Sequence, residues 1–282
     1  MKLRAIWNLG SEKLADKDNG RADARLLLMH LLQLDYTQFI LSLEQEQNEE
    51  IVKQFNHLVT DLNNGRPLQY ILGYQEFMGL KFTVNKSVLI PRGDTEILVN
   101  ETIKLAKQFT NLNIADIGTG SGAIAVTLAS HLPRAQLTAV DISDKALAVA
   151  KLNAINNGTK NIHFIHGDLL EPLILSPKKY HIIVSNPPYI STQEMQELPQ
   201  NVLNEPHLAL EGGRDGLDFY RRLAQEAPKV LSNNGYLIVE IGSSQDEEVK
   251  RIFSNNGFND LKIYKDFAKL PRVVVGKLMK PL

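Results

Sequence analysis

Over the first seventy or so positions apolar residues recur at helical spacing. Beyond about residue 75 that spacing gives way to strand-like runs alternating with helix-like ones. Ile51, Phe55, Leu58 and Leu62 stand at i, i+4, i+7 and i+11, which lines one face of a helix. Asn48, Glu49 and Glu50 mark its start, because a capping side chain and acidic residues suit the positive end of a helix. Residues 21–34 predict a second amphipathic helix and residues 2–17 a further one. Strand character then occurs at 82–84 and 88–90. From there, 113–118, 136–142, 162–168, 181–186 and 235–242 read as strands, with helices at 123–131, 145–157 and 219–231 between them. The closing apolar runs, 261–265 and 273–278, predict an antiparallel edge pair. Strands alternating with helices of this length imply a parallel sheet covered on both faces. The predicted fold class is therefore α/β: a doubly wound, mostly parallel seven-stranded sheet behind a small helical domain. The expected divisions are 1–74 for the helical domain, 75–92 for a linker with a β-hairpin and 93–282 for the α/β domain.

Composition narrows the function classes. The chain has 282 residues, of which 43% are hydrophobic and 22% charged, ordinary values for a protein with a sizeable core. Its 31 basic and 32 acidic side chains leave a formal charge of -1, which argues against a protein devoted to neutralising a nucleic-acid backbone. Residues 1–75 hold eight Lys/Arg against ten Asp/Glu, so the helical part is no basic clamp. The four carboxylates between 44 and 50 read as a solvated helix junction. Without cysteine there is no disulfide, no thiolate nucleophile and no Cys-ligated zinc. No apolar run approaches the roughly 20 residues of a membrane span, and the N-terminus has no signal-peptide core, so a cytoplasmic protein is expected.

The first candidate chemistry lies at 116–122, Asp116-Ile-Gly-Thr-Gly-Ser-Gly122, between a predicted strand and a predicted helix. Glycines at 118, 120 and 122 let the backbone turn sharply and approach a ligand closely. Asp141 ends the next strand, 19 residues after Gly122, where a carboxylate can accept both hydroxyls of a ribose. These features suit a dinucleotide as well as other nucleoside cofactors, since Gly118, Gly120 and Ala123 also satisfy G-x-G-x-x-G/A. Asp168, at the end of the third strand, could bond an adenine amino group, and the series tilts toward S-adenosyl-L-methionine.

The fourth strand ends in Asn186-Pro187-Pro188-Tyr189, at the sheet edge where ligands of open α/β folds bind. Consecutive prolines stiffen the backbone, so that the Asn186 side-chain oxygen and the Pro187 carbonyl can converge on one planar NH2 group. Tyr189 offers a ring for stacking. With the glycine loop, this box resembles the class I S-adenosylmethionine-dependent methyltransferases that act on NH2 nitrogens. Two branches share it: DNA adenine-N6 enzymes, and enzymes that methylate the glutamine side-chain amide of proteins. Four further segments resemble the second, protein-(glutamine-N5) branch. They are Arg66-Pro-Leu-Gln-Tyr-Ile-Leu-Gly73 with Phe77, Ile90-Pro-Arg-x-x-Thr95-Glu96, Glu205-Pro-His-Leu-Ala-Leu-x-Gly-Gly-x-Asp215-Gly-Leu217, and Arg272-Val-Val-Val-Gly276. Gly93 departs from the family, where proline is common.

The resemblance implies transfer of a methyl group to the glutamine of the Gly-Gly-Gln loop of class 1 peptide chain release factors, with the helical domain recognising that protein. It implies a cofactor site of Asp116, Gly118, Thr119, Gly120, Ser121, Gly122, Asp141, Asp168, Leu169 and Asn186. Substrate would meet Asn186, Pro187, Pro188 and Tyr189, with Asn186, Pro187 and Tyr189 catalytic. Arg92, Thr95 and Glu96 belong to the family signature without a defined role. A DNA adenine-N6 methyltransferase is the alternative, weakened by the absence of a basic DNA-reading insert. A dinucleotide oxidoreductase is opposed by the Asn-Pro-Pro-Tyr box, and a binding module without catalysis by the complete motif set. No metal, membrane or nucleic-acid substrate is expected, and nothing demands more than a monomer. His163 and His166 fall on opposite strand faces. Trp7 is expected to pack the helical domain, and the six Lys/Arg after Phe258 to form a solvated rim.

Overall fold

The protein is described by a computed structural model covering residues 1–279, and it divides into two compact units. Lys280, one of the six basic residues after Phe258, lies outside the described residues, as does the end of the expected 93–282 domain.

The first unit comprises Met1–Gly73 and a returning segment, Pro199–Asn204. Over Met1–Gly73 its helices are α1 (Leu3–Lys13), α2 (Gly20–Leu32), α3 (Tyr36–Leu41), α4 (Glu49–Asn63) and α5 (Leu68–Leu72). The helical periodicity is explained by one core, to which α1 gives Leu3 and Ile6, α2 Leu27 and Leu28, and α4 Phe55 and Val59. Asn48 caps α4 by accepting a hydrogen bond from the Ile51 backbone N–H at 2.9 Å. The buried stripe of α4 runs through Phe55, Val59 and Leu62, whereas Ile51 and Leu58 are half-buried. Periodicity did not reveal α3 because six residues are less than two turns; Asp35 and Gln38 start it with a capping box. Trp7 meets Phe39 edge-on at 5.5 Å, and its indole N–H donates to the Arg21 carbonyl. Glu44, first of the acidic run, pairs at the surface with Lys2 and Arg4.

The second unit comprises Tyr74–Leu198 and Glu205–Leu282. It opens with a hairpin of β1 (Tyr74–Phe77) and β2 (Leu80–Thr83), earlier than the predicted strand character at 82–84 and 88–90. Met78 and Gly79 both take positive φ, the two-residue turn whose twist matches a hairpin. Val88 and Ile90 are buried but form no ladder: the Ile90 N–H bonds to the Glu205 side chain, and Pro91 has no N–H to offer. There follow α6 (Thr95–Ala106), β3 (Asn113–Ile117), α7 (Ala123–His131), β4 (Gln136–Asp141), α8 (Asp144–Asn156), β5 (Ile162–His166), α9 (Glu171–Ile174) and β6 (Tyr180–Ser185). After α10 (Gln200–Leu203), which lies in the returning segment, come α11 (Asp218–Val230), β7 (Leu231–Glu240), α12 (Asp246–Asn255), β8 (Phe258–Lys265) and β9 (Pro271–Leu278).

The seven larger strands form one sheet in the order β5-β4-β3-β6-β7-β9-β8. Pairings from β5 through β7 are parallel, and β9 runs antiparallel to both neighbours. The closing pair is antiparallel as predicted, but of the two strands β8 alone lies at the sheet edge, because β9 inserts beside β7. Side-chain alternation feeds two cores. Ile114, Ile182, Val184, Val273 and Val275 face Leu98 and Val99 of α6 and the small residues of α7. Ala115, Ile117, Ile183 and Val274 face Tyr220 and Leu223 of α11 and Phe253 of α12. Burial on both faces is why these strands read as continuous apolar runs. Strand order reverses between β3 and β6, so the loops after these two strands open side by side. The pairing of Ile117 with Ser185 and the 2.7 Å bond from Ser185 Oγ to the Ile117 carbonyl lock the two strand ends together.

Candidate active site

At the carboxyl ends of β3 and β6 lies a cavity of about 360 Å3. Its wall holds Gly118, Gly120, Asp141, Asp168, Leu169, Asn186, Pro187 and Pro188 from the predicted site. Asp116, Thr119, Ser121, Gly122 and Tyr189 are not on that wall. Gly118 and Gly120 take φ of 71° and 56°, and a Cβ on either would meet no protein atom within 4 Å. Their missing side chains leave ligand space and permit a turn that other residues rarely adopt.

Asp116 is fully buried under the loop. Its Oδ2 accepts from Thr119 Oγ1 at 2.6 Å and from the Ala125 N–H at 3.2 Å, while its Oδ1 has no partner. Burial pushes this carboxyl up to about 7. Asp141 accepts from the Gly120 and Ser143 N–H groups at 2.8 and 2.9 Å, which fixes the carboxylate at the wall, and burial raises its pKa. Ser121 contributes its backbone: buried Asn153 donates to the Ser121 carbonyl at 2.8 Å and exchanges hydrogen bonds with Thr83, tying the loop to β2.

Sequence reading missed Arg222. From α11 it reaches the cavity wall and grips Asp168 with two hydrogen bonds, at 3.1 and 2.9 Å. The adjoining Leu169 is held at φ 46°, outside the usual range for a side-chain-bearing residue.

The Asn-Pro-Pro-Tyr box is braced from two sides. Asn186 Nδ2 donates to Thr95 Oγ1 at 3.2 Å, and Thr95 Oγ1 donates to Glu240 Oε2 at 2.6 Å. Glu240 is fully enclosed at the end of β7, where burial pushes its carboxyl up to about 7. Gln245 Nε2 donates to the Tyr189 carbonyl at 3.0 Å, and its Oε1 accepts from the Gly242 N–H. Burial raises the Tyr189 phenol to about 12, so it stays protonated at neutral pH. A Cβ on Gly212 would stand 2.7 Å from the Pro188 carbonyl, so only glycine lets the 205–217 segment lie against the box. Glu205 joins that segment to the Ile-Pro-Arg stretch by pairing with Arg92 and accepting from the Ile90 N–H. Glu96 accepts from the Met78 N–H in the hairpin turn, and Arg272 pairs with Asp94 and Asp266. Among the described residues, no group of three or more His, Asp or Glu is placed to hold a metal ion, and no helix is long and apolar enough to cross a membrane.

Comparison with known proteins agrees with this geometry. The Methyltransferase small domain family matches residues 93–216, and the PrmC N-terminal domain family matches residues 5–73. The crystal structure of a methyltransferase from Pyrococcus furiosus superposes with a TM-score of 0.53 at 17% identity, over 80% of this chain and 99% of that one. Sheet order, glycine loop and box define a methyltransferase of the class I fold. Release factor glutamine methyltransferase from Geobacter sulfurreducens is 42% identical, spanning 98% of this chain and 96% of that protein. The protein of the same name from Clostridium acetobutylicum is 40% identical over 90% of each. The chain belongs to the release factor glutamine methyltransferase family.

Proposed function

We propose that this enzyme transfers a methyl group from S-adenosyl-L-methionine to the side-chain amide nitrogen of the glutamine in the Gly-Gly-Gln loop of class 1 release factors. The observation that carries this reading is the side-by-side placement of the glycine loop and Asn186-Pro187 on one cavity wall.

The residues present fit the cofactor. Gly118 and Gly120 leave a cradle that any Cβ would fill, Asp141 offers an anchored carboxylate for the ribose hydroxyls, and Asp168 stands across the wall for the adenine. The unpartnered Asp116 Oδ1 beneath the loop suits the cofactor's cationic end. Bound, the cofactor supplies an electrophilic methyl carbon on a sulfonium. Everything else falls to the protein. An amide nitrogen is a poor nucleophile because its lone pair is delocalised into the carbonyl. No ordinary side-chain base can deprotonate it beforehand. Asn186 Oδ1 and the Pro187 carbonyl therefore accept the two NH2 hydrogens, fix the nitrogen's direction of approach, and stabilise the positive charge that develops on it; once the methyl is on the nitrogen, one of those hydrogens leaves as a proton to water, which returns the methylated amide to neutrality. A single glutamine offers little specificity, so recognition of the protein is assigned to the helical domain, 1–74. The wider partition into a 75–92 linker and a catalytic domain from 93 belongs to the same reading.

The test supplies radiolabelled S-adenosylmethionine with purified release factor and, separately, with duplex DNA. Label on the release factor, lost when its Gly-Gly-Gln glutamine is replaced, is the expected result. Label on DNA alone overturns it in favour of adenine methylation. A second measurement probes the cofactor wall. Arg222→Leu leaves Asp168 without its clamp, and calorimetric affinity for S-adenosylmethionine is expected to fall about tenfold, the scale of one charged hydrogen-bonding pair. Unchanged affinity would remove Asp168 from the cofactor contact.

A further inference from the structure

Asn186 has two chemically different ends, and only one of them can accept a hydrogen bond from an amide. Its Nδ2 points to Thr95 Oγ1 at the start of α6. Thr95 has a single hydroxyl hydrogen, and an ionised Glu240, which can only accept, draws that hydrogen to Oε2 at 2.6 Å. A hydroxyl that has given its hydrogen away can only accept, and what it accepts from Asn186 must be the NH2 end. Thr95 is 4% exposed and Glu240 2%. Water therefore has little access to replace either partner.

We propose that Glu240 is a positioning residue for catalysis: by holding the Thr95 hydroxyl as a donor, it forces Asn186 to present Oδ1, and not Nδ2, to the substrate amide. The inference rests on the glutamine-amide reading of the site. Flipped, Asn186 would offer two N–H groups to a substrate NH2 that itself has only hydrogens to give. The chain Glu240–Thr95–Asn186 links three elements: the end of β7, the start of α6 and the loop that leaves β6. The salt bridge of Arg272 with Asp94 at 3.2 Å steadies the residue next to Thr95. The role requires no contact between Glu240 and substrate.

The primary variant is Thr95→Val, nearly isosteric, because a change at the fully enclosed Glu240 carries a folding risk. With purified release factor as substrate, kcat is expected to fall about tenfold, as for one hydrogen bond to a charged partner, with KM and S-adenosylmethionine affinity near wild type. Thr95→Ser, which keeps the hydroxyl, restores kcat. A double-mutant cycle supplies the decisive readout. Because Thr95 acts only through Asn186, Thr95→Val added to Asn186→Ala lowers kcat no further. Multiplying losses, or a Thr95→Val enzyme that turns over at the wild-type rate, would overturn the relay. A wild-type enzyme that leaves release factor unlabelled overturns the amide reading itself, and the relay with it; that outcome differs from wild-type labelling with multiplying losses, which removes the relay alone.

Discussion

Asn186→Ala is expected to lower turnover by about 10²–10³ while binding of S-adenosylmethionine stays near wild type. That is the penalty for removing one preorganised polar group aimed at developing charge, roughly 3–4 kcal/mol of transition-state stabilisation. The residue sits on the cavity wall, and its Nδ2 is already committed to Thr95, so the group lost to the substrate is Oδ1. The Pro187 carbonyl comes from a stiff Pro-Pro backbone and survives the substitution, so residual activity above background is also expected. Cofactor affinity is predicted to hold because the glycine loop, Asp141 and the Arg222–Asp168 pair are each fixed by contacts that do not pass through Asn186. Rapid-quench turnover and equilibrium titration on the same preparation separate the two effects. Parallel loss of both would mean that Asn186 builds the cofactor wall and does not select the substrate nitrogen.

The sheet was legible because strands buried on both faces must be apolar throughout, and glycine, aspartate and the Asn-Pro-Pro-Tyr box punctuate their carboxyl ends. The 123–131 helix coincides with α7 for the same reason: its small residues pack between sheet and helices. The hairpin was displaced because its turn is Met78-Gly79, and methionine at positive φ is no sequence signal for a turn. Of the helices not predicted, which include α6, α12 buries only Val249 and Phe253, too thin a stripe to show a period. Long-range pairings were hidden altogether. Glu240 and Thr95 are 145 residues apart, and Arg222 and Asp168 are 54 apart, so each pairing exists only once the strand order is known. A carboxylate closing the apolar run 235–242 was the one available hint of Glu240, since a charge at the end of a buried strand needs a partner.

That charge also predicts how stability responds to pH. Burial pushes the Glu240 carboxyl from its ordinary value near 4.5 up to about 7; neighbouring Asp94 pushes the same way, while the hydrogen bond from Thr95, the Arg272 guanidinium and the nearby Asn186 amide oppose it. The folded state therefore holds a proton that the unfolded state has released over this whole interval. Stability from the neutral form is fully present below about pH 4.5 and is lost as pH rises through 7, a difference of about 3 kcal/mol. Glu240→Gln removes the titration. Relative to wild type, the variant is expected to gain about 3 kcal/mol in unfolding free energy between pH 4.5 and pH 8, whatever it loses at either pH from altered contacts. Asp116 titrates over a similar range, but it is present in both proteins and cancels in the comparison. Tyr189 and Tyr220, whose phenols are raised by burial, stay neutral throughout. Denaturant unfolding of both proteins without cofactor at the two pH values gives the double difference directly, and a value near zero would show that Glu240 is ionised in the fold at low cost. That cost is tied to the geometry of the site. Only the ionised carboxylate makes the Thr95 hydroxyl an obligatory donor, so the state that turns Asn186 Oδ1 toward substrate is also the one that destabilises the fold.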